Sequence, residues 1–133
     1  MSSGRVIVFG TFDLLHKGHL YILEEASKLG NELYVGIALD EHVQYLKQKQ
    51  SKHTQTERLA AVSKLPMVTK ALLCDKTLGT YSILQQIKPD IIALGHDQFG
   101  LKESIEEWMR RTGNSFRLTI LPKYEAQNMD RTR

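Results

Sequence analysis

Two histidines three residues apart, His16 and His19, stand in the stretch "GTFDLLHKGHL" at positions 10–20, with Gly18 between them. Residues three apart on a helix share a face, so both imidazoles can donate hydrogen bonds to one phosphate. The stretch follows "RVIVFG" (5–10), a β-branched run ending in glycine, which reads as a buried strand and a turn. A helical period begins at about residue 17. The pair therefore straddles a helix start, where unpaired backbone N–H groups and the helix dipole favour an anion. Gly18 lets a phosphate approach the backbone, and Gly10 and Thr11 suit a chain turning tightly against a ligand. Two other readings stay open on the residues alone. A metal ion could take both rings, although zinc usually requires a third protein ligand. Alternatively the two side chains simply begin a helix and bind nothing. The G-x-G-x-x-G fingerprint and the Walker P-loop are both absent here.

The elements that must position these residues follow a regular alternation. Leu20, Leu23, Ala26 and Leu29 recur at helical spacing, with Gly30 where a helix C-terminal glycine belongs. "LYVGIAL" (33–39) is apolar throughout, as in a strand covered on both faces. Residues 41–47 read equally as a short helix or an ordered loop. Thr54 and Glu57 have capping-box spacing ahead of Leu59, Val62 and Leu65. Strands are expected at 67–74, 90–95 and 116–121, and helices at 80–87 and 102–113. The chain thus reads as α/β: a single Rossmann-like, doubly wound domain over 1–124 with a mostly parallel five-stranded sheet. Residues 125–133 are expected to be a polar C-terminal tail.

In an open parallel sheet ligands bind beyond the carboxyl ends of the strands. The first strand delivers Gly10 to His19 to that rim, and the fourth delivers Gly95, His96, Asp97 and Gln98. Lys47, Lys49 and Lys52 beside His53 form a basic run, which suits either a solvated face or an anion. The whole-chain values set bounds. The 133 residues carry a net charge of +3, with 41% hydrophobic and 25% charged residues, which are ordinary globular proportions. The charge suits small anions and is too modest to argue for nucleic acid. No apolar run is long enough to span a membrane. The single cysteine, Cys74, reads as a small hydrophobe at the core edge and fits a reducing cytoplasm.

"GTFDLLHKGH" resembles the signature of the nucleotidylyltransferase superfamily, whose defining element is His-x-Gly-His after the first strand. The likeness runs from Val6 to about Tyr124. It implies an enzyme that moves a nucleoside monophosphate from a triphosphate to a phosphate-bearing acceptor, releasing pyrophosphate without a covalent enzyme intermediate. It also implies roles: His16 and His19 on the α-phosphate, Thr11 and Phe12 framing the pocket, and Asp13 near the triphosphate holding Mg²⁺ through water. An N-terminal helix cap is a second role open to Asp13. Lys47 and Lys49 match a lysine pair that meets the phosphates, and Arg58 an arginine at the next helix start. Asp97-Gln98 and "LPKYEAQ" resemble the archaeal-type FAD synthases, which adenylylate FMN with ATP. Lys47-Gln48-Lys49 lies nearer to the glycerol-3-phosphate cytidylyltransferases, which use CTP and a small phosphorylated alcohol. A homodimer is the default in this superfamily. Many members open a last helix with a Ser/Thr-rich motif; here the chain reads "NMDRTR", with Arg131 and Thr132 as remnants. That departure suggests truncation and keeps a catalytically silent nucleotide binder as a further alternative.

Overall fold

The computed structural model describes residues 4–125. Five strands, β1 (Arg5–Gly10), β2 (Glu32–Ile37), β3 (Lys70–Leu73), β4 (Ile91–Leu94) and β5 (Arg117–Ile120), form one sheet in the order β3-β2-β1-β4-β5. Every pairing is parallel, where a mostly parallel sheet was expected. Between them run α1 (Lys17–Ser27), α2 (Asp40–Lys47), α3 (Gln55–Ser63), α4 (Ser82–Ile87) and α5 (Phe99–Thr112). None of these helices is long and apolar enough to cross a membrane.

The period-two alternation of β1 builds the two cores. Val6 and Val8 face one side, packing with Leu23 and Ala26 of α1 and Val62 of α3. Ile7 and Phe9 face the other, packing with Ile83, Leu84 and Ile87 of α4 and with Ile105 and Trp108 of α5. Burying each large aliphatic side chain contributes about 1.5–3 kcal/mol, and both faces of β1 collect that gain. The strand is therefore central. After β1 the chain moves outward one way to β2 and β3; it then crosses back to place β4 on β1's other side. The gap between the carboxyl ends of β1 and β4 is the topological switch point, where such sheets bind ligands.

Several boundaries differ from the sequence expectation, each for a local reason. Residues 41–47 fall within the helix α2, which ends in a left-handed Gln48. The third strand pairs over only four residues, 70–73, because Leu65 to Val68 turn on themselves through a Val68 N–H bond to Leu65 O. The last helix begins at Phe99, three residues earlier than the pattern indicated, and closes on left-handed Gly113 as expected. Thr54 and Glu57 do form the capping box.

Gly30 has another purpose than the helix C-cap expected of it. The C-cap of α1 is Lys28, in ordinary right-handed geometry. At Gly30 a Cβ would stand 2.6 Å from the Gly4 carbonyl oxygen, the same oxygen that accepts the N–H groups of Asn31 and Glu32. The glycine lets β2 start against the backbone that begins β1. Gly30→Ala is expected to lower unfolding stability by about 1–3 kcal/mol through this overlap. Gly100→Ala, in α5 with nothing within 4 Å of a Cβ, is expected to raise it by about 0.5–1 kcal/mol. Urea unfolding of both variants checks the pair, and equal effects would remove the close-approach explanation.

Candidate active site

His16 is the N-cap of α1, with extended backbone, and its Nδ1 accepts the Gly18 N–H at 3.0 Å. Because Nδ1 is the acceptor, the proton of the neutral ring sits on Nε2, which leaves that nitrogen as a donor. The cap sets the tautomer. It also explains Gly18 more directly than ligand approach does: a Cβ there would lie 2.9 Å from the His16 ring. The cap role open to Asp13 is thus taken by His16.

The His16 and His19 rings stack with centroids 3.9 Å apart and planes 20° apart. Imidazole lone pairs lie in the ring plane, and these nearly parallel planes do not meet within the ~2 Å of a zinc–nitrogen bond. A single metal ion between the pair does not fit this arrangement, whereas two oxygens of one phosphate do. Phe12 braces His19 edge-on at 5.4 Å from an unusual position. Its backbone is left-handed, φ 53°, and its buried ring lies where a Cβ on Gly10 would be, 2.7 Å away. Gly10 is glycine because of Phe12. Left-handed backbone at a non-glycine residue concentrates at functional sites, and Leu14 repeats it with φ 55°.

His19 Nδ1 is buried and has no hydrogen-bond partner among the described residues. Burial, then the neighbouring His16 and Lys47, push the His19 pKa down to about 4 against the opposing charge of Asp13. A buried polar atom left unmatched in a native fold calls for a partner from outside.

These side chains line a cavity of about 980 Å³ that contains Thr11, Asp13, His16, His19, Lys47 and Lys49 from the expected set, and Gly95, Asp97 and Gln98 across from them. The Lys47 ammonium, in the last turn of α2, donates to Thr11 Oγ1 at 3.2 Å. Asp13 binds the opposite loop: its two oxygens accept the N–H groups of Lys52 and His53 at 2.7 and 3.0 Å. Burial raises its pKa, but those two bonds and the nearby cations outweigh burial and hold it below the usual range. Gln98 also works on the backbone. Its Oε1 accepts Gly95 N–H at 2.8 Å and its Nε2 donates to Phe9 O at 2.9 Å, clamping the ends of β4 and β1 together.

Arg58 stands near the start of α3, where the sequence reading put it, with its side chain buried. It is 1% exposed and is absent from the cavity wall. Its Nε donates to His53 O at 3.1 Å, one Nη to Thr11 O at 2.8 Å and the other to Asp40 Oδ1 at 2.8 Å. The guanidinium thus ties together the end of β1, the start of α2 and the turn before α3. Sequence reasoning missed its partner Asp40, which also accepts Gln55 N–H at 3.1 Å. The available signal was its place just after β2, on the same rim. Lys52, from the basic run, is exposed and borders the cavity with Gln50 and Ser51. Tyr124, quoted without a role, forms an aromatic wall with Ile22 and Leu121.

Among the described residues no group of three or more His, Cys, Asp or Glu side chains gathers to hold a metal ion. The cavity's carboxylates, Asp13 and Asp97, suit a hydrated Mg²⁺ that arrives on phosphate oxygens, not a protein-built cage.

The cytidylyltransferase-like family model matches residues 7–125. The FAD synthase of Methanohalobium evestigatum is 39% identical over 119 residues, covering 90% of this chain and 77% of that protein. That of Aciduliprofundum boonei is 39% identical over 129 residues, covering 97% and 85%. A crystal structure from Thermoplasma volcanium, described as a lipopolysaccharide core biosynthesis protein, superposes with a TM-score of 0.82 at 33% identity, covering 91% of this chain and 98% of that one.

Two measurements test the site. In the free protein the His19 ring should stay neutral from about pH 8 to about pH 5 and titrate at about 4. Unfolded histidine takes its proton near pH 6.5, so stability falls as pH drops through that window. Saturating nucleoside triphosphate should raise the midpoint seen by ring proton NMR; an unmoved midpoint means the ring does not meet phosphate. Arg58→Ala should cost about 3 kcal/mol of stability, because three buried hydrogen bonds and the charge beside Asp40 go together. Full stability with only turnover lost would return Arg58 to the chemistry.

Proposed function

We propose that this chain, which belongs to the cytidylyltransferase-like family, is a nucleotidyltransferase that joins ATP and FMN to give FAD and pyrophosphate. The observation that carries the choice of reaction is identity of 34–39% to FAD synthases along most of the chain. The site supports it physically. A phosphate oxygen of FMN attacks the α-phosphorus of ATP, the new P–O bond forms, and the bond to the β-phosphate bridging oxygen breaks. The phosphomonoester is already anionic at neutral pH, so no general base is required, and the protein's task is positioning and charge neutralisation.

Each residue then has a task. His16, its tautomer set by the cap, donates from Nε2 to the α-phosphate. His19 meets the same phosphate; the anion's charge opposes the desolvation and cationic neighbours that depress its pKa, and draws a proton onto the ring. Lys47 reaches the phosphates from beside Thr11, and Lys49 and Lys52 extend positive charge to the pyrophosphate that leaves. Asp13 holds the lysine-bearing loop over the cleft, and with Asp97 offers outer contacts to Mg²⁺, which when bound offsets phosphate charge. The adenine lies toward the apolar end formed by Gly18, Ile22, Leu121 and Tyr124. A cytoplasmic homodimer belongs to the same reading. The Ser/Thr-rich element sought at Arg131 and Thr132 lies outside the described residues.

Incubation with ATP, FMN and Mg²⁺ should yield FAD and pyrophosphate, while CTP with glycerol 3-phosphate should yield none. His16→Ala and His19→Ala should each lower turnover by at least about 100-fold with little loss of fold. Nucleotide binding without pyrophosphate from either pair would instead make the chain a silent binder.

A further inference from the structure

Among the described residues, three of the sheet's four strand pairs end in the same kind of backbone bond. The last paired carbonyl of one strand accepts the N–H one residue beyond its partner. Ala38 N–H bonds to Gly10 O at 3.0 Å, Cys74 N–H to Ile37 O at 2.9 Å and Leu121 N–H to Leu94 O at 2.7 Å. The β1–β4 pair differs. It sets Val6 beside Ile91 and Ile7 beside Ile92, and then stops. Extended by two residues, that register would set Phe9 beside Leu94 and bond Phe9 O to Gly95 N–H. Both groups bond instead to the side chain of Gln98. Its Nε2 donates to Phe9 O at 2.9 Å and its Oε1 accepts Gly95 N–H at 2.8 Å. A carboxamide is inserted into one rung of the ladder.

We propose that this amide is a spacer that fixes how far β1 and β4 open at the switch point, which makes Gln98 a positioning residue for transfer between phosphates. The role rests on the FMN adenylyltransferase reading and adds what sets the distance between the two banks of the cleft.

A carboxamide suits this place. It carries one donor and one acceptor on a planar group, as a peptide unit does, so it enters the rung without leaving either backbone group unmatched. A carboxylate lacks the donor, and an aliphatic chain lacks both. The backbone of Gln98 is itself held: its N–H bonds to Gly95 O at 3.1 Å, and its carbonyl accepts Lys102 N–H at 3.0 Å. Gln98 is also the N-cap residue of α5, yet its side chain makes no cap bond there. It serves the sheet instead. Ordering so long a side chain costs rotamer freedom that a direct bond from Gly95 to Phe9 would not. Sheet stability alone does not call for the insertion.

The two strand ends held apart carry the two sides of the reaction. Phe9 leads into Thr11 and the loop bearing His16 and His19, while Gly95 leads into His96 and Asp97; these residues line the main cleft. Gln98 stands in that wall and also in the wall of a smaller, largely apolar cavity of about 220 Å³. Attack at the α-phosphorus requires the reacting atoms about 3–3.5 Å apart, and a misplacement of about 1 Å can lower the rate about 100-fold. Without the inserted group the two banks are free to close on a direct rung.

The test compares wild type with Gln98→Ala, which removes the spacer, and Gln98→Glu, which keeps its size and acceptor but loses its donor. Circular dichroism melts verify folding, and calorimetric titration gives the stoichiometry and Kd of ATP. Single-turnover formation of FAD from ATP and FMN should slow by about 100-fold in each variant. ATP stoichiometry should be unchanged and its Kd within about threefold of wild type. A wild-type rate in either folded variant overturns the proposal, and so does ATP affinity lost in step with the rate. A second measurement needs no variant. In isotope-labelled wild type, NMR scalar coupling across hydrogen bonds should link the Gly95 nitrogen to Gln98 Cδ and not to the Phe9 carbonyl carbon. Coupling to Phe9, or none to Gln98, removes the spacer. A wild-type protein that forms no FAD is a different result: it removes the parent reading and with it any role in transfer, whether or not the coupling finds the amide in place.

Discussion

The site depends on one buried cation. Arg58 holds the Thr11 carbonyl at the end of β1, the His53 carbonyl before α3, and the Asp40 carboxylate at the start of α2. A guanidinium removed from water is tolerated only when its donors are matched, and here three separate segments match them. Lose any one and the charge is left unsatisfied. The three loops are therefore coupled to each other through a single side chain, and each carries something the cleft needs. Thr11 meets Lys47, α2 carries Lys47, and the residues before His53 carry Lys49 and Lys52. Asp13 adds a second tie across the same space. Planar, multidentate Arg suits this task in a way the point charge of lysine does not.

That frame holds the ammonium groups of Lys47, Lys49 and Lys52 beside two histidines before any ligand arrives. His16, His19, Lys47, Lys49 and Lys52 line one cavity while the whole chain is only +3. The strain is visible in His19, whose ring gives up its proton to burial and to its cationic neighbours. The stacked histidines, the left-handed Phe12 under them and the Nδ1 without a partner among the described residues belong to the same arrangement. In the function proposed above, a triphosphate brings the negative charge that this cluster lacks. Preorganised donors of this kind cost no rearrangement at the moment of reaction.

Away from the phosphates the fold divides its chemistry by element. The face of β1 that looks toward α1 ends in a cationic cleft, and the face toward α4 and α5 ends in an apolar slot. Gln98 holds β1 and β4 in register at the boundary, spending both ends of its amide on backbone. Cys74 lies in the apolar slot, where burial and then Asp75 push its thiol up to about 12. At that value it is a small hydrophobe, as its sequence context indicated.

Much of this was legible in the chain because it is local. The period of β1, the change to helical spacing near residue 17, the Thr54–Glu57 box and the two polar clusters after β1 and β4 follow from neighbours in sequence. So does the pairing of His16 with His19, since one helical turn puts them side by side. Other assignments needed contacts between distant segments. Gly30 looks like a helix terminator until Gly4 is found against it, and Gly10 like a ligand contact until Phe12 folds back over it. Asp13 looks like a helix cap until His16 is found in that place, and its tie to the Lys52 and His53 N–H groups across the cleft is not visible in sequence. That Arg58 is buried and bonded to Thr11, His53 and Asp40 is likewise invisible in the sequence. A sequence records which groups are available and their local period; which of them are already spent on each other is set by how the chain folds back, as with Arg58 and Thr11 at a separation of 47. The spacing alone therefore determined what the cleft can bind, and only packing decided which residues bind it and which hold it open.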